Sequence, residues 1–399
     1  TSIDPTIVNP RKLSWERQID LCQRCHLQGL NLLQDGKKFT DFKPGMKLSD
    51  VFEVYLPQFE GEVSEFDMAN HAQRFQQSAC FIQGNKESLD FTCISCHNPH
   101  VSVKMTSDEV YNSACMQCHQ DKGCTAPKAE IEAADNKCVT CHMPQKGSED
   151  IPHVSVHDHF IRVPNAAEGQ TTPAKLKGLY AVNNATPTKH NQIKAYLEYW
   201  EKFDKNPFFL TKAEEMLKEN AYPNLQLKYH YLEGSYSEAL SLAYDEENFT
   251  AWENFMLGRC YVLTDKASLG YYYINKAYIM DSTNRMVASE LLRLMLAERK
   301  INEALALSEK LVNAFPYDGV LASRRAKALI MSGNIAQAKE FVDKAIQLEP
   351  DDIDVWVTQL NYYAMLKNKA AFEFWAQKIM KKDSSKLKAA DIRRLLNTM

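Results

Sequence analysis

Four times between Cys22 and His142, two cysteines separated by two residues are followed at once by a histidine: CQRCH (22–26), CISCH (93–97), CMQCH (115–119) and CVTCH (138–142). These segments hold eight of the eleven cysteines. A CxxCH segment is the attachment signature of c-type haem, in which both thiols bond the vinyl groups and the adjacent histidine reaches the iron. Structural zinc would take tetrahedral sites and pair the CxxC units two by two. A dithiol redox motif would stand alone after a strand. Neither explains a histidine after the second cysteine in every case. The expected cofactor is therefore haem c, four copies covalently attached, tethered by Cys22 and Cys25, Cys93 and Cys96, Cys115 and Cys118, and Cys138 and Cys141.

The proximal iron ligands are then His26, His97, His119 and His142, and the sixth ligand decides what each iron does. A second histidine closes the iron for electron transfer, whereas an open position admits substrate. The segment up to Phe160 contains five further histidines, His71, His100, His153, His157 and His159, while 161–399 hold two, His190 and His230. His100 follows a proline in CHNPH, which projects it away from its own motif towards a neighbouring haem. His71 lies in a helical-looking stretch, MANHAQRF, in the long gap between the first two motifs. Five histidines do not fit four positions, and His157 is read as a surface residue. Met46, Met68, Met105, Met116 and Met143 are read as packing against porphyrin faces.

The last three motifs begin at Cys93, Cys115 and Cys138, a short spacing that crowds their haems together. About forty residues per haem is too little protein for separate cores, so porphyrin would form much of the interior. Cys80 and Cys124 are either two buried thiols or a disulfide suited to an oxidising compartment. Cys260 reads as a small core residue. Residues 1–160 carry 15 Lys and Arg against 22 Asp and Glu, and 161–399 carry 32 against 29, which excludes a polyanion-binding surface and hence a nucleic-acid partner. No run of eighteen apolar residues offers a transmembrane segment.

From residue 251 the chain repeats with the period of tetratricopeptide units, without an insertion between one unit and the next. Signature positions are Leu257, Gly258, Tyr261 and Ala277 in 251–284; Leu291, Ala304 and Pro316 in 285–318; Ala326, Gly333, Ala338, Ala345 and Pro350 in 319–352; and Trp356 and Tyr363 in 353–386. YLEGSYSEAL (231–240) reads as the turn of a shortened earlier unit, 186–220 as further helix, and 384–399 as a capping helix. The expected fold is mainly α: a multihaem domain of little regular secondary structure over 1–161, a linker over 162–190, and a helical solenoid over 191–399.

The segments NPRKLSWERQIDLCQRCHLQG, HAQRFQQSACFIQG, FTCISCHNPH, CVTCHMPQ and DIPHVSVHDHFIR, followed by the repeats, resemble bacterial multihaem c-type cytochromes with a C-terminal tetratricopeptide domain, whose haem part is of the cytochrome c554 type. The resemblance implies bis-histidine ligation, with His153 and His159 rather than His157 as distal ligands near the last motif. It also implies export to the periplasm or beyond, which agrees with an opening, TSIDPTIVNP, that looks like a processed start. The leading expectation is an electron carrier whose repeats dock redox partner proteins, such as other multihaem cytochromes, or further copies of the chain in an oligomer or filament. The alternative is an oxidoreductase with one open haem acting on a small nitrogen or sulfur compound. No catalytic residue is expected on the first reading.

Overall fold

The computed structural model describes residues 7–60, 70–86, 90–120, 124–147, 155–164 and 175–387, together with Ile392 and Leu396. The chain divides into two compact units, Thr1–Asn220 and Ala221–Met399.

In the first unit, strand β1 (Leu30–Leu33) buries Leu30 and Leu32 and leaves Asn31 outside, the alternation of a sheet with one covered face. It pairs antiparallel with β2 (Phe52–Glu60), Leu30 opposite Tyr55 and Leu33 opposite Phe52. Further along, β3 (Gln145–Gly147) and β4 (Ser155–His157) form a separate antiparallel ladder. The far half of β2 pairs with β5 (Lys175–Ala181). Pro57, which has no N–H to donate, consequently has a neighbouring strand on one side only. Helix Lys189–Lys202 packs Ala195 and Tyr199 against Leu30, Leu32 and Tyr55.

Within segment 162–190, Lys175–Ala181 form the third strand of the sheet, and helices Lys189–Lys202 and Pro207–Glu219 group with the first compact unit. The reason is local chemistry around β2. Buried Glu53 accepts hydrogen bonds from Tyr55 Oη (2.6 Å), Asn184 Nδ2 (2.6 Å) and Gln34 Nε2 (3.2 Å), while Val54 N donates to Asn183 Oδ1 (2.9 Å). Those bonds fasten 183–184 to the sheet and bring β5 with them. With two sheets and several helices, this unit also holds more regular structure than a haem-dominated segment was expected to have.

The second unit begins with a shortened helix pair, Pro223–Glu233 and Tyr236–Ser241, joined at Gly234 (φ 93°). Four pairs follow: Ala251–Leu263 with Ala267–Met280, Arg285–Ala297 with Ile301–Ala314, Gly319–Met331 with Ile335–Leu348, and Ile353–Met365 with Lys369–Lys382. Within each pair the chain reverses through a left-handed residue, Asp265, Arg299, Gly333 and Lys367 in turn. The apolar faces of neighbouring pairs bury one another around Ile274, Val287, Leu291, Leu311 and Leu321, and Cys260 lies fully buried beside Leu257 and Met256. At the end Ser384–Lys386 form a short 3-10 turn and Leu387, Ile392 and Leu396 pack beside Trp356 and Phe372, while 388–391, 393–395 and 397–399 of the expected capping helix lie outside the described residues.

Helix contact is closest where glycines face each other. A Cβ at Gly258 would stand 2.5 Å from Ile274 Cγ1 and 3.0 Å from the Gly270 carbonyl, and one at Gly270 would stand 2.4 Å from Val262 Cγ2. Gly258→Ala and Gly270→Ala are each expected to cost about 1–3 kcal/mol by overpacking, read from urea unfolding. A buried ion pair joins the first helices of two pairs: Glu290 meets Arg259 at 2.7 Å and Arg293 at 2.8 Å. Burial pushes the Glu290 carboxyl up, but Arg293 and Arg259 outweigh it and hold it down at about 2. The stability this confers is present above the ordinary value of 4.5 and is lost as pH falls through about 2. Glu290→Gln is expected to cost about 1–2 kcal/mol at pH 7, with the difference from wild type narrowing when urea unfolding is repeated below pH 4.5.

Candidate cofactor-binding site

Each CxxCH segment forms a single helical turn. Helices Trp15–His26, Asp108–His119 and Cys138–His142 all end on the motif histidine. In the second motif the turn is made by Cys93–Ser95, with His97 N donating to the Cys93 carbonyl at 2.9 Å. Cysteines at i and i+3 and histidine at i+4 therefore share one face in every motif, the arrangement that presents two thiols and an imidazole to one ligand.

Thiols of successive motifs lie within electrostatic reach of one another: Cys22 with Cys93, Cys96 with Cys115, and Cys115 with Cys138. Neighbouring Cys22, and then burial, push the Cys93 thiol up; burial, with Cys138 and Cys96 beside it, pushes Cys115 to about 11. Buried Thr92 Oγ1 donates to Gln18 Oε1 at 2.8 Å, pinning the second motif to the helix that carries the first. Asn112 does the same for the last two: its Nδ2 donates to the Asn136 carbonyl (2.9 Å) and its Oδ1 accepts from Cys138 N (3.0 Å). Those bonds hold Asp135 and Asn136, both left-handed, directly before the fourth motif.

The histidines converge as well. The His26 and His71 rings lie 5.9 Å apart, His71 and His159 4.5 Å, and His97 and His159 6.1 Å. Burial, reinforced by neighbouring His71, holds His159 down at about 4, and burial likewise lowers His97, so both imidazoles are neutral at pH 7. A carbonyl can only accept, so His142 donates from Nδ1 to Arg162 O (2.9 Å) and His159 from Nδ1 to His157 O (2.9 Å), which leaves Nε2 as the basic nitrogen of each ring. His157 differs: its Nδ1 donates to Met143 O (2.7 Å) and its Nε2 meets Gln145 Nε2 (3.2 Å). His100 and His119 are exposed, and His153 lies outside the described residues.

Among the described residues no group of three or more His, Cys, Asp and Glu is drawn up around one point to hold a bare metal ion. The set instead fits a metal carried by a porphyrin, with paired thiols in each motif and imidazoles arriving singly. His26 with His71, and His97 with His159, are the ring pairs that would hold such a metal between them, and each imidazole would supply it one nitrogen. Around the third motif Val103 (60 % exposed), Met105 (81 %) and Val110 (49 %) stand in solvent, an apolar rim of the kind a flat hydrophobic ligand covers. The expected packing role of the methionines is thus open at Met105 and Met116, while Met46 packs against the Leu27 and Leu48 cluster and Met68 lies outside the described residues.

Of the two readings of Cys80 and Cys124, the structure has free thiols and no disulfide, with Cys80 half-buried and Cys124 exposed rather than both buried. Burial pushes the Cys80 thiol up, and Cys118 within electrostatic reach adds to it.

Residues 295–360 match the tetratricopeptide repeat family. The second unit is accordingly a tetratricopeptide-type helical array. Among solved structures the chain is similar to MamA AMB-1, at 22 % identity over 42 % of this chain and 93 % of that one with a TM-score of 0.34. It is also similar to the Cut9–Hcn1 hetero-tetramer of the APC/C, at 14 % identity over 51 % of this chain and 42 % of that one with a TM-score of 0.42. MamA from Desulfovibrio magneticus RS-1 aligns at 15 % identity over 45 % of this chain and 97 % of that one, with a TM-score of 0.32. No curated protein matches the chain. Among the described residues no helix is long and apolar enough to cross a membrane.

Asn112→Ala is expected to lower stability by about 0.5–1.5 kcal/mol and to speed amide exchange at Cys138, measured by urea unfolding and hydrogen exchange.

Proposed function

We propose that the first unit carries four covalently attached haems c and passes electrons among them, and that the helical array docks protein partners. The observation that carries this reading is four CxxCH turns, each with two thiols and an imidazole on one face, beside a chain of rings in which His26 and His71 lie 5.9 Å apart, His71 and His159 4.5 Å and His159 and His97 6.1 Å. When bound, each haem supplies a one-electron iron couple. The chain's own groups do the rest. Cys22 and Cys25, Cys93 and Cys96, Cys115 and Cys118, and Cys138 and Cys141 tether the groups, and His26, His97, His119 and His142 are the proximal ligands.

The ring separations support His71 as the ligand facing His26 and His159 as the ligand facing His97. His100 and His153 complete the distal set, and His157, with both nitrogens engaged, stays out of it. Two imidazoles per iron exclude water and substrate, so the unit conducts and does not catalyse. Thioether attachment of haem supports the periplasm or the outside of the cell as the place of work. A repeat array without a nucleophile or phosphate loop serves as a surface for redox proteins, other multihaem cytochromes or further copies of the chain.

Pyridine haemochrome analysis of the purified protein is expected to give four haems per chain. Of the eleven cysteines, eight are consumed, so the denatured protein is expected to titrate three free thiols, Cys80, Cys124 and Cys260. Eleven titratable thiols and no haem would overturn the reading. Carbon monoxide binding to the reduced protein would move it to the open-haem oxidoreductase.

A further inference from the structure

Asp158 has no exposed surface and stands between His157 and His159. Both of its oxygens are fully engaged. Arg74 Nε donates to Oδ1 at 2.8 Å while Arg74 Nη2 meets Oδ2; Phe160 N donates to Oδ1 at 3.0 Å; Arg162 Nη1 donates to Oδ2 at 3.0 Å. The Phe160 ring lies 5.2 Å from the Arg74 guanidinium and 4.7 Å from that of Arg162.

Each partner leads to a histidine. Arg74 sits three residues after His71 on helix His71–Gln76, the spacing that puts two side chains on one helix face. Arg162 takes the Nδ1 hydrogen of His142 on its carbonyl and donates its own N–H to the His142 carbonyl. His159 is the next residue after Asp158, and its ring lies 4.5 Å from that of His71. One carboxylate thus joins the segments that carry His71, His142 and His159.

We infer that Asp158 with Arg74 is a positioning pair that sets His71 and His159 as distal ligands. This rests on the haem reading above. The planar guanidinium of Arg74 forks across Oδ1 and Oδ2, which fixes the direction of approach as well as the distance, and a single point contact would leave the helix of His71 free to turn. Asp158→Asn keeps the size, but its amide nitrogen faces Arg74 with a donor against a donor. Arg74→Lys keeps the charge and removes the fork.

The test uses the full-length holoprotein, with low-temperature EPR of the oxidised form and carbon monoxide titration of the reduced form. Both variants are expected to retain covalent haem at the wild-type count but to convert one or two of the four haems from low-spin to high-spin and make them bind carbon monoxide. Added imidazole is expected to restore the low-spin signal. If either variant keeps wild-type haem content with all haems low-spin and inert to carbon monoxide, the pair is a fold element only and the proposal fails while the haem reading stands. A wild-type protein without haem overturns both. Should Asp158→Asn not accumulate, Arg74→Lys decides the matter.

Discussion

A carboxylate buried without water must be met by charge and hydrogen bonds on every lone pair, and Asp158 meets that demand with two arginines and a backbone amide. The donors come from residues 74, 160 and 162, so the bond fixes where the segment after the fourth motif lies against a helix more than eighty positions earlier. A second anchor runs beside it: fully buried Ser78 donates to the His159 carbonyl at 3.0 Å and accepts from Ile161 N at 2.9 Å. The histidine cluster depends on both. Imidazoles are small and their reach is short, so rings drawn from 26, 71, 97 and 159 converge only if the backbone segments carrying them are held.

The motifs were legible because their chemistry demands a fixed local spacing, and the repeats because burial of one helix pair on the next recurs in phase from 251 to 386. The sheet was not. β1 is four residues long, β2 contains Pro57, and β5 sits between stretches rich in Pro, Asn and Thr, so none carries a clear strand signal. Its pairing also joins residues more than a hundred positions apart, and periodicity does not encode the partner of a strand. The crowding of histidines into the first part of the chain was readable; which of their rings meet was a property of the fold.

The choice left open at Cys80 and Cys124 has the same origin: two cysteines left over after counting invite a bridge, but exclusion from a motif says nothing about where either thiol lies, and the fold leaves Cys80 half-buried on helix Ala79–Lys86 and Cys124 exposed. Asp158 and Arg74 left faint signals that were passed over. An acid wedged between histidines in HDHF, and an arginine one turn after the histidine in HAQRF, are residues whose burial needs a partner.

The two units hold themselves together differently. The helical array closes its core with leucine and alanine at close range, Gly258 and Gly270 letting two helices nearly touch, and its buried charge at Glu290 is met by Arg259 and Arg293. In the first unit the apolar clusters gather around Phe75 and Phe81, around Leu48 and Phe52 and around Leu30 and Tyr55, and beside them stand the thiols and imidazoles of the motifs, of which Cys25, Cys118, Cys141 and His119 are exposed. Polar groups of that kind are poor core material by area alone, since they bring little apolar surface out of water. On the haem reading proposed above, four flat apolar rings bonded to them would supply that missing apolar surface, each thiol becoming a thioether and each imidazole gaining a partner, so that the cofactor would serve packing as well as redox chemistry.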